Sequence, residues 1–172
     1  MKFAPVIYLI GMLLCILSLF MLVPAIVDWF YGSNDWPAFI ASSLVTVFFG
    51  GAFYLSGRGS ATEHLELRQA FLLTNSAWLS IALFGSLPFL FSEINMSFVD
   101  AIFESTSGIT TTGSTVIVNL EQTSHGILIW RALLQWLGGV GIIVMALAVL
   151  PMLSIGGMQL FKTESYETPD KV

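Results

Sequence analysis

The stretch SGITTTGST, residues 107–115, combines residue types and a spacing that suit ion binding by the polypeptide backbone. Gly108 and Gly113 are separated by four residues and followed by hydroxyl side chains, which matches most of the phosphate-binding pattern G-x-x-x-x-G-K-[ST]. Ser114 occupies the position of the lysine in that pattern. A loop of this kind presents either N–H groups to an anion or carbonyl groups to a cation, so its surroundings must decide between them.

The composition indicates which solvent surrounds this loop. The chain has 172 residues, of which 56% are hydrophobic and 10% charged, with a mean hydropathy of +0.85. Soluble domains carry about 25% charged residues, so this chain cannot cover a water-facing surface and belongs in a lipid bilayer. Six Lys and Arg residues are too few for a nucleic-acid-binding face, and nucleic acid is excluded as a partner. Cys15 is a lone cysteine inside an apolar run and is expected to be a packing residue.

Four apolar runs predict four membrane-spanning helices. A helix of about 20 residues crosses a hydrocarbon core of ~30 Å, and each run is close to that length. The runs cover about Pro5–Val27, Pro37–Leu55, Ala70–Phe91 and Ile127–Leu153. The first begins near the N-terminus, but it is too long for the apolar part of a signal peptide and is expected to be a retained helix.

The charged residues predict the orientation of these helices. The segments 28–36 and 92–126 carry acidic residues and, apart from Arg131 just beyond the second one, no basic residue lies near them. The other five basic residues are Lys2, Arg58, Arg68, Lys162 and Lys171. Because basic residues concentrate on the cytoplasmic side of membrane proteins, both chain ends are expected in the cytoplasm.

The segment between the third and fourth spans predicts a helix of half the usual length. Ser97 and Asp100 match a helix-capping box, Phe98 and Ile102 follow at a helical spacing, and Gly108 provides a stop. A helix of about 11 residues, roughly 16 Å long, crosses about half a bilayer. A short helix that enters from the outside and leads into a Thr-rich loop predicts a re-entrant pore helix and selectivity-filter loop.

The position of the loop after this helix indicates the sign of its ligand. A helix C-terminus carries about −0.5 charge, whereas phosphate loops lie before a helix N-terminus. The ligand is therefore expected to be a cation, bound by the backbone carbonyl groups of Thr110, Thr111, Thr112 and Gly113. Gly113 has no Cβ and can adopt the backbone angles that such a loop needs. The alternative is an ordinary Thr-rich external turn.

Two segments around this loop resemble a known family. FESTSGITTTGST (103–115) and WRALLQWLGGVGIIVMALAVLPMLSIGGMQLFKTES (130–165) closely resemble the pore-forming subunits of bacterial Trk-type potassium uptake systems. These subunits belong to the superfamily of Trk, Ktr and HKT potassium transporters. The first two spans also resemble the two-helix domain that precedes the pore in Trk-type subunits, so the resemblance covers nearly the whole chain.

The resemblance implies a fold, a substrate and partners. The fold it implies has four helix–pore loop–helix repeats with pseudo-fourfold symmetry about one pore. Potassium, the transported substrate and the only metal expected, would be coordinated by the main chain at Thr110–Gly113, with Thr111 and Thr112 as metal ligands. A glycine at the Gly113 position accompanies potassium selectivity in the family, and a serine accompanies sodium. Family members dimerise and pair with a cytosolic nucleotide-binding regulatory subunit.

The family has four repeats, whereas this chain has one, and this difference leaves three interpretations open. We expect a fragment of a four-repeat transporter that takes up potassium across the bacterial cytoplasmic (inner) membrane. The alternatives are a homotetrameric cation channel and a non-conducting protein that assembles with full-length subunits. The predicted domains are a two-helix transmembrane domain (1–57), a cytoplasmic linker (58–69), the first helix–pore loop–helix repeat (70–157) and a cytoplasmic tail (158–172).

The remaining polar residues are assigned supporting roles. Arg131 lies within the fourth span, where a charge is costly and usually paired, and we expect it to pair with Glu104 or Asp100 and support the filter. The alternative is that Arg131 snorkels to the interface. Gly138, Gly139 and Gly141 are expected to allow close helix packing or, alternatively, to form a gating hinge. No cofactor and no enzymatic activity are expected, because the sequence contains neither G-x-S-x-G nor H-E-x-x-H.

Overall fold

All regular secondary structure among the described residues is helical. The computed structural model describes residues 3–60 and 67–164, with only the backbone from residue 147 onward. The predicted linker 58–69 and tail 158–172 lie partly outside these ranges. Within them the α-helices are α1 (Ala4–Tyr31), α2 (Trp36–Gly57), α3 (Leu67–Gly85), α4 (Leu87–Phe91), α5 (Phe98–Ile109) and α6 (His125–Glu164).

Four helical stretches among the described residues are long and apolar enough to cross a membrane. They are Ala4–Tyr31, Trp36–Gly57, Arg68–Phe91 and His125–Ala146. Each contains an 18-residue window with a mean hydropathy of 1.5 or more, as expected of a bilayer-spanning helix. The predicted all-α integral membrane fold with four transmembrane helices is confirmed. The re-entrant character of α5 stays a prediction.

The helices α1 and α2 form an antiparallel pair with a close backbone approach. A Cβ at Gly11 would lie 2.7 Å from the carbonyl oxygen of Gly50, so only glycine fits at this contact. Ser43 Oγ donates a hydrogen bond of 2.8 Å to the carbonyl oxygen of Ser18 in the neighbouring helix. Small residues and interhelical hydrogen bonds of this kind stabilise helix pairs in lipid, where hydrophobic attraction between helices is weak.

The third predicted span is interrupted rather than continuous. The helix α3 ends at Gly85, and α4 begins at Leu87, one residue before Pro88. Proline has no N–H and its ring collides with the carbonyl group four residues earlier, which disfavours an unbroken helix. Ser86 Oγ donates to the carbonyl oxygen of Leu83 at 2.7 Å and satisfies one acceptor at the break.

The chain divides into two compact units, one ending at Gly139 and the other beginning at Val140. The first unit contains the candidate site and an apolar core in which Leu14, Phe39 and Trp130 have no exposed surface. Large apolar side chains also cover its outside, and Phe48 and Leu79 are more than 70% exposed. Such a surface suits contact with lipid rather than water.

Candidate ion-binding site

The helix before the loop begins as the sequence predicts. The helix α5 spans Phe98–Ile109, and Ser97 is its N-cap residue, whose Oγ accepts a hydrogen bond from Asp100 N at 3.2 Å. Ser97 Oγ also donates to Asp100 Oδ2 at 2.6 Å. These bonds fix the start of α5 and therefore the distance between its cap and the loop that follows its end.

The loop after α5 folds back onto the carbonyl groups at the end of that helix. Thr111 N donates to Gly108 O at 2.9 Å, Thr112 N donates to Ser107 O at 3.0 Å, and Gly113 N donates to the same oxygen at 3.3 Å. The last carbonyl groups of a helix lack partners within it, and these bonds satisfy two of them. The N–H groups of three successive loop residues are thus directed toward the C-terminal end of α5.

The orientation of these N–H groups sets the orientation of the carbonyl groups. No cis peptide occurs in the described chain, and in a trans peptide the C=O of one residue points opposite to the N–H of the next. The carbonyl groups of Thr110, Thr111 and Thr112 therefore point away from α5. Residues 110–116 are all exposed. The loop therefore presents the carbonyl oxygens of these three residues on the side that faces away from α5.

Two loop residues adopt the left-handed backbone conformation. Gly113 has φ +79°, and Thr111 has φ +59°. A Cβ at Gly113 would find only Gln135 Nε2, at 3.6 Å, so backbone strain and not space favours glycine there. For Thr111 the left-handed region costs about 1–2 kcal/mol, which the surrounding hydrogen bonds must offset. The left-handed backbone at Gly113 agrees with the sequence prediction, whereas that at Thr111 was not predicted.

A buried carboxylate holds the segment that follows Gly113. Glu104, on α5, is 1% exposed. Its Oε2 accepts hydrogen bonds from Thr115 Oγ1 at 3.0 Å and from Val116 N at 3.1 Å. Ser107 Oγ donates to Ser114 O at 2.6 Å. The loop is therefore attached to α5 on both sides of Gly113.

Arg131 neutralises this carboxylate from the other side. The Nε of Arg131 forms a hydrogen-bonded ion pair with Glu104 Oε1. The Arg131 side chain is 14% exposed, so it is mostly buried against its partner and does not extend to the interface. The predicted pairing partner is thus Glu104 and not Asp100, which binds its own cap. Support of an ion filter by this pair stays a prediction.

The helix α6 packs tightly against the end of α5. A Cβ at Gly138 would overlap the carbonyl group of Ile109, the last residue of α5. A Cβ at Gly139 would meet nothing within 4 Å. Gly138 therefore permits close packing, as predicted, whereas Gly139 has no packing requirement.

Asp28 and Asp35 are two further buried carboxylates in this unit, and neither was predicted as a site residue. Asp28, at the end of α1, is fully buried and accepts a hydrogen bond from Gly126 N at 2.7 Å. Asp35, just before α2, is 6% exposed and accepts one from Glu93 N at 2.8 Å. The sequence signal for both residues was a charged side chain at or near the end of an apolar run. Their partners could not be deduced, because each bond joins residues at least 58 positions apart.

An open polar cavity of about 410 Å³ lies beside the hydrogen bond between Asp35 and Glu93. It is lined by Ser33, Asp35, Glu93, Ile94, Val118, Asn119, Gln122, Thr123 and Ser124. Among the described residues no cluster of three or more His, Cys, Asp or Glu side chains could hold a metal ion. Cation binding by the carbonyl groups of the loop stays a prediction.

The fold and the loop together define a class of protein. It is a multi-pass helical membrane protein in which a short capped helix ends in a loop that presents backbone carbonyl groups. Comparison with known families agrees, since the TrkH family, described as cation transport protein, matches residues 36–170. The chain belongs to this family.

Individual relatives cover nearly all of this chain. It is 40% identical over 173 residues to the Trk system potassium uptake protein TrkI of Halomonas elongata. It is 43% identical over 165 residues to the Trk system potassium uptake protein TrkH of Vibrio parahaemolyticus, which aligns with 95% of this chain. The chain spans 35% and 34% of the length of these two relatives.

A solved structure has the same fold. The crystal structure of the potassium transporter TrkH from Vibrio parahaemolyticus superposes with a TM-score of 0.85 and 42% sequence identity. The match covers 91% of this chain and 34% of that chain.

Proposed function

We propose that this chain supplies one segment of a potassium-selective filter in a membrane transporter. The observation that carries the proposal is the set of hydrogen bonds from the N–H groups of Thr111, Thr112 and Gly113 to the end of α5. These bonds direct the carbonyl groups of Thr110 to Thr112 outward, where they can replace the hydration shell of a potassium ion. The Glu104–Arg131 pair supports the far side of the same segment.

Potassium is favoured over other ions by the ligand chemistry and by the relatives. Uncharged carbonyl oxygens suit a weakly hydrated monovalent cation, whereas divalent cations favour carboxylates. Relatives that are about 40% identical are named potassium uptake proteins. Gly113 has the residue type that accompanies potassium selectivity in the family, so the proposed substrate is potassium and not sodium.

The proposed filter requires more segments than one. A dehydrated ion needs ligands on all sides, and the loop of one repeat covers one side. We propose that further repeats of the same kind complete the pore, in agreement with the resemblance to four-repeat transporters. The proposed location is the bacterial cytoplasmic membrane, with both chain ends in the cytoplasm and a cytosolic nucleotide-binding regulatory subunit as partner.

The test is rubidium uptake by cells that depend on this protein for potassium. Gly113→Asp places a carboxylate among the proposed ligands, and aspartate tolerates the left-handed conformation better than most residues. A fixed negative charge beside the ion path is expected to reduce rubidium uptake by about tenfold or more.

The matched control is Val118→Asp, because Val118 is 82% exposed and lies in the same connecting segment. It adds the same charge five positions after Gly113 and is expected to leave uptake unchanged. Unchanged uptake and unchanged rubidium selectivity in Gly113→Asp would show that this loop is not the filter.

A further inference from the structure

Asp28 is a fully buried carboxylate at the end of an apolar membrane-spanning helix. It lies in the last turn of α1 with 0% exposure, and its Oδ1 accepts the hydrogen bond from Gly126 N. A Cβ at Gly126 would collide with this carboxylate and come within 2.9 Å of Phe39 Cε2. The carboxylate therefore lies directly against the first turn of α6.

The start of α6 is a favourable place for a carboxylate. The first N–H groups of a helix lack partners within it, and this end carries about +0.5 charge. Asp28 binds one of these N–H groups. A second contact joins the same two helix ends, because the ring of Tyr31 stacks on His125 with the centroids 4.1 Å apart. The end of α1 thus fixes the position of the start of α6.

The helix α6 connects this fixed start to the ion-binding loop. Arg131 lies five residues after Gly126, about 7.5 Å further along the helix. There it pairs with Glu104, whose other oxygen accepts the hydrogen bond from Val116 N. Between these points Trp130 Nε1 donates to the carbonyl oxygen of Gly85 at 2.9 Å. Because Gly126 and Arg131 lie on the same helix, a shift of α6 along its axis would move Arg131 relative to Glu104.

We propose that Asp28 is a positioning residue for the ion-binding loop and acts through α6 and the Arg131–Glu104 pair. In this arrangement the α1–α2 pair stabilises the position of the loop and also forms part of the membrane-spanning fold. Any effect on ion selectivity rests on the proposed function, whereas the physical link between Asp28 and the loop does not depend on transport.

Hydrogen–deuterium exchange of the segment 110–118 in the purified full chain tests this link without transport. Asp28→Asn keeps the side-chain shape but replaces the carboxyl group that accepts from Gly126 N with a neutral amide, whose hydrogen bond to that N–H is weaker than that of a carboxylate. Because Val116 N depends on the last bond of the series, its exchange is expected to become about tenfold faster than in the wild type. Where the proposed function holds, the ratio of rubidium to sodium uptake is expected to fall as well.

Asp35→Asn is the matched control for this experiment. Asp35 is also a buried carboxylate at the same end of the α1–α2 pair, but its hydrogen bond goes to Glu93 N rather than to α6. Exchange at Val116 is expected to stay at the wild-type rate. An equal increase in Asp35→Asn would reveal general loosening and overturn the proposal.

Gly126→Ala provides an independent perturbation of the same contact, since the added methyl group displaces the Asp28 carboxylate from the side of α6. It is expected to raise exchange at Val116 as Asp28→Asn does. Wild-type exchange in both variants would overturn the proposal. Failure of the proposed function is a separate outcome, because it appears as normal rubidium uptake in Gly113→Asp and leaves the exchange result intact.

Discussion

Glu104 determines the geometry of the candidate site at the scale of single residues. One carboxylate oxygen binds Arg131, and the other binds Thr115 and Val116 beyond the loop. A buried carboxylate is stable only when it is paired and hydrogen-bonded, and here both conditions are met by different parts of the chain. The loop and α6 are consequently connected through one side chain.

Replacement of Arg131 by leucine is expected to destabilise the protein strongly. The carboxylate of Glu104 is 1% exposed and would become a buried charge without a counter-ion. Removal of one partner from such a pair costs about 3–5 kcal/mol in the free energy of unfolding. Chemical denaturation in detergent, followed by tryptophan fluorescence, measures this loss.

The double variant Arg131→Leu with Glu104→Gln serves as the control. Glutamine is neutral and its carbonyl oxygen can still accept from Val116 N, so most of the lost stability is expected to return. A charge swap, Arg131→Glu with Glu104→Arg, is expected to recover less, because arginine has no acceptor for the loop. Equal stability of Arg131→Leu and the wild type would contradict the assignment of a buried ion pair.

The sequence predicted those features of the site that depend on local patterns. The Ser97 cap, the short helix and the need for glycine at Gly113 follow from local preferences of these residue types. The left-handed conformation of Thr111 could not be predicted, because threonine disfavours it and bonds to the helix end impose it. The partner of Asp28 was also hidden, since it lies 98 positions away in the chain.

At the scale of helices, apolar runs predicted the four spans and their approximate ends. The length of an apolar run is a strong constraint on secondary structure in a bilayer, because the backbone N–H and C=O groups of a segment in lipid must form hydrogen bonds within that segment. The break at Ser86 is the main difference, and Pro88 was its available signal. Helix contacts were less predictable, since the sequence did not separate the packing role of Gly138 from that of Gly139.

Alanine at these two neighbouring glycines is expected to give opposite results. The Cβ of Gly138→Ala would overlap the Ile109 carbonyl, a backbone group that cannot rotate away, and a destabilisation of about 1–3 kcal/mol is expected. The Cβ of Gly139→Ala meets open space, and the better helix propensity of alanine is expected to add about 0.5–1 kcal/mol. Thermal unfolding of both purified variants makes the comparison.

Rubidium uptake by the same two variants tests whether the α5–α6 contact also matters for the loop. The Ile109 carbonyl belongs to the last residue before Thr110, so its displacement is expected to lower uptake in Gly138→Ala only. Equal stability and equal uptake in the two variants would show that the overlap is relieved by a small shift without consequence.

At the scale of the whole molecule, the structure shows which connections lie at the same end, and the charged residues predict which side of the membrane that end faces. Asp35 binds Glu93, and Ser33 and Val118 line one cavity, so the connections after α1, α4 and α5 lie at the same end. The structure requires this grouping whichever way the protein is inserted. The choice of side comes from the basic residues, which predict that this end faces the outside.

Thiol labelling with a membrane-impermeant maleimide tests both statements. Cys15 is the only cysteine, so Cys15→Ala gives a background in which single cysteines can be introduced. Asn34→Cys and Val118→Cys are exposed at the grouped end, and both are expected to react in intact cells. Gly59→Cys, at the opposite end of α2, is expected to react only after permeabilisation. If only one of the cysteines at positions 34 and 118 reacted in intact cells, the grouping of the connections at one end would be wrong. If both were protected and the Gly59→Cys variant reacted, the predicted orientation would be wrong and the fold would be unaffected.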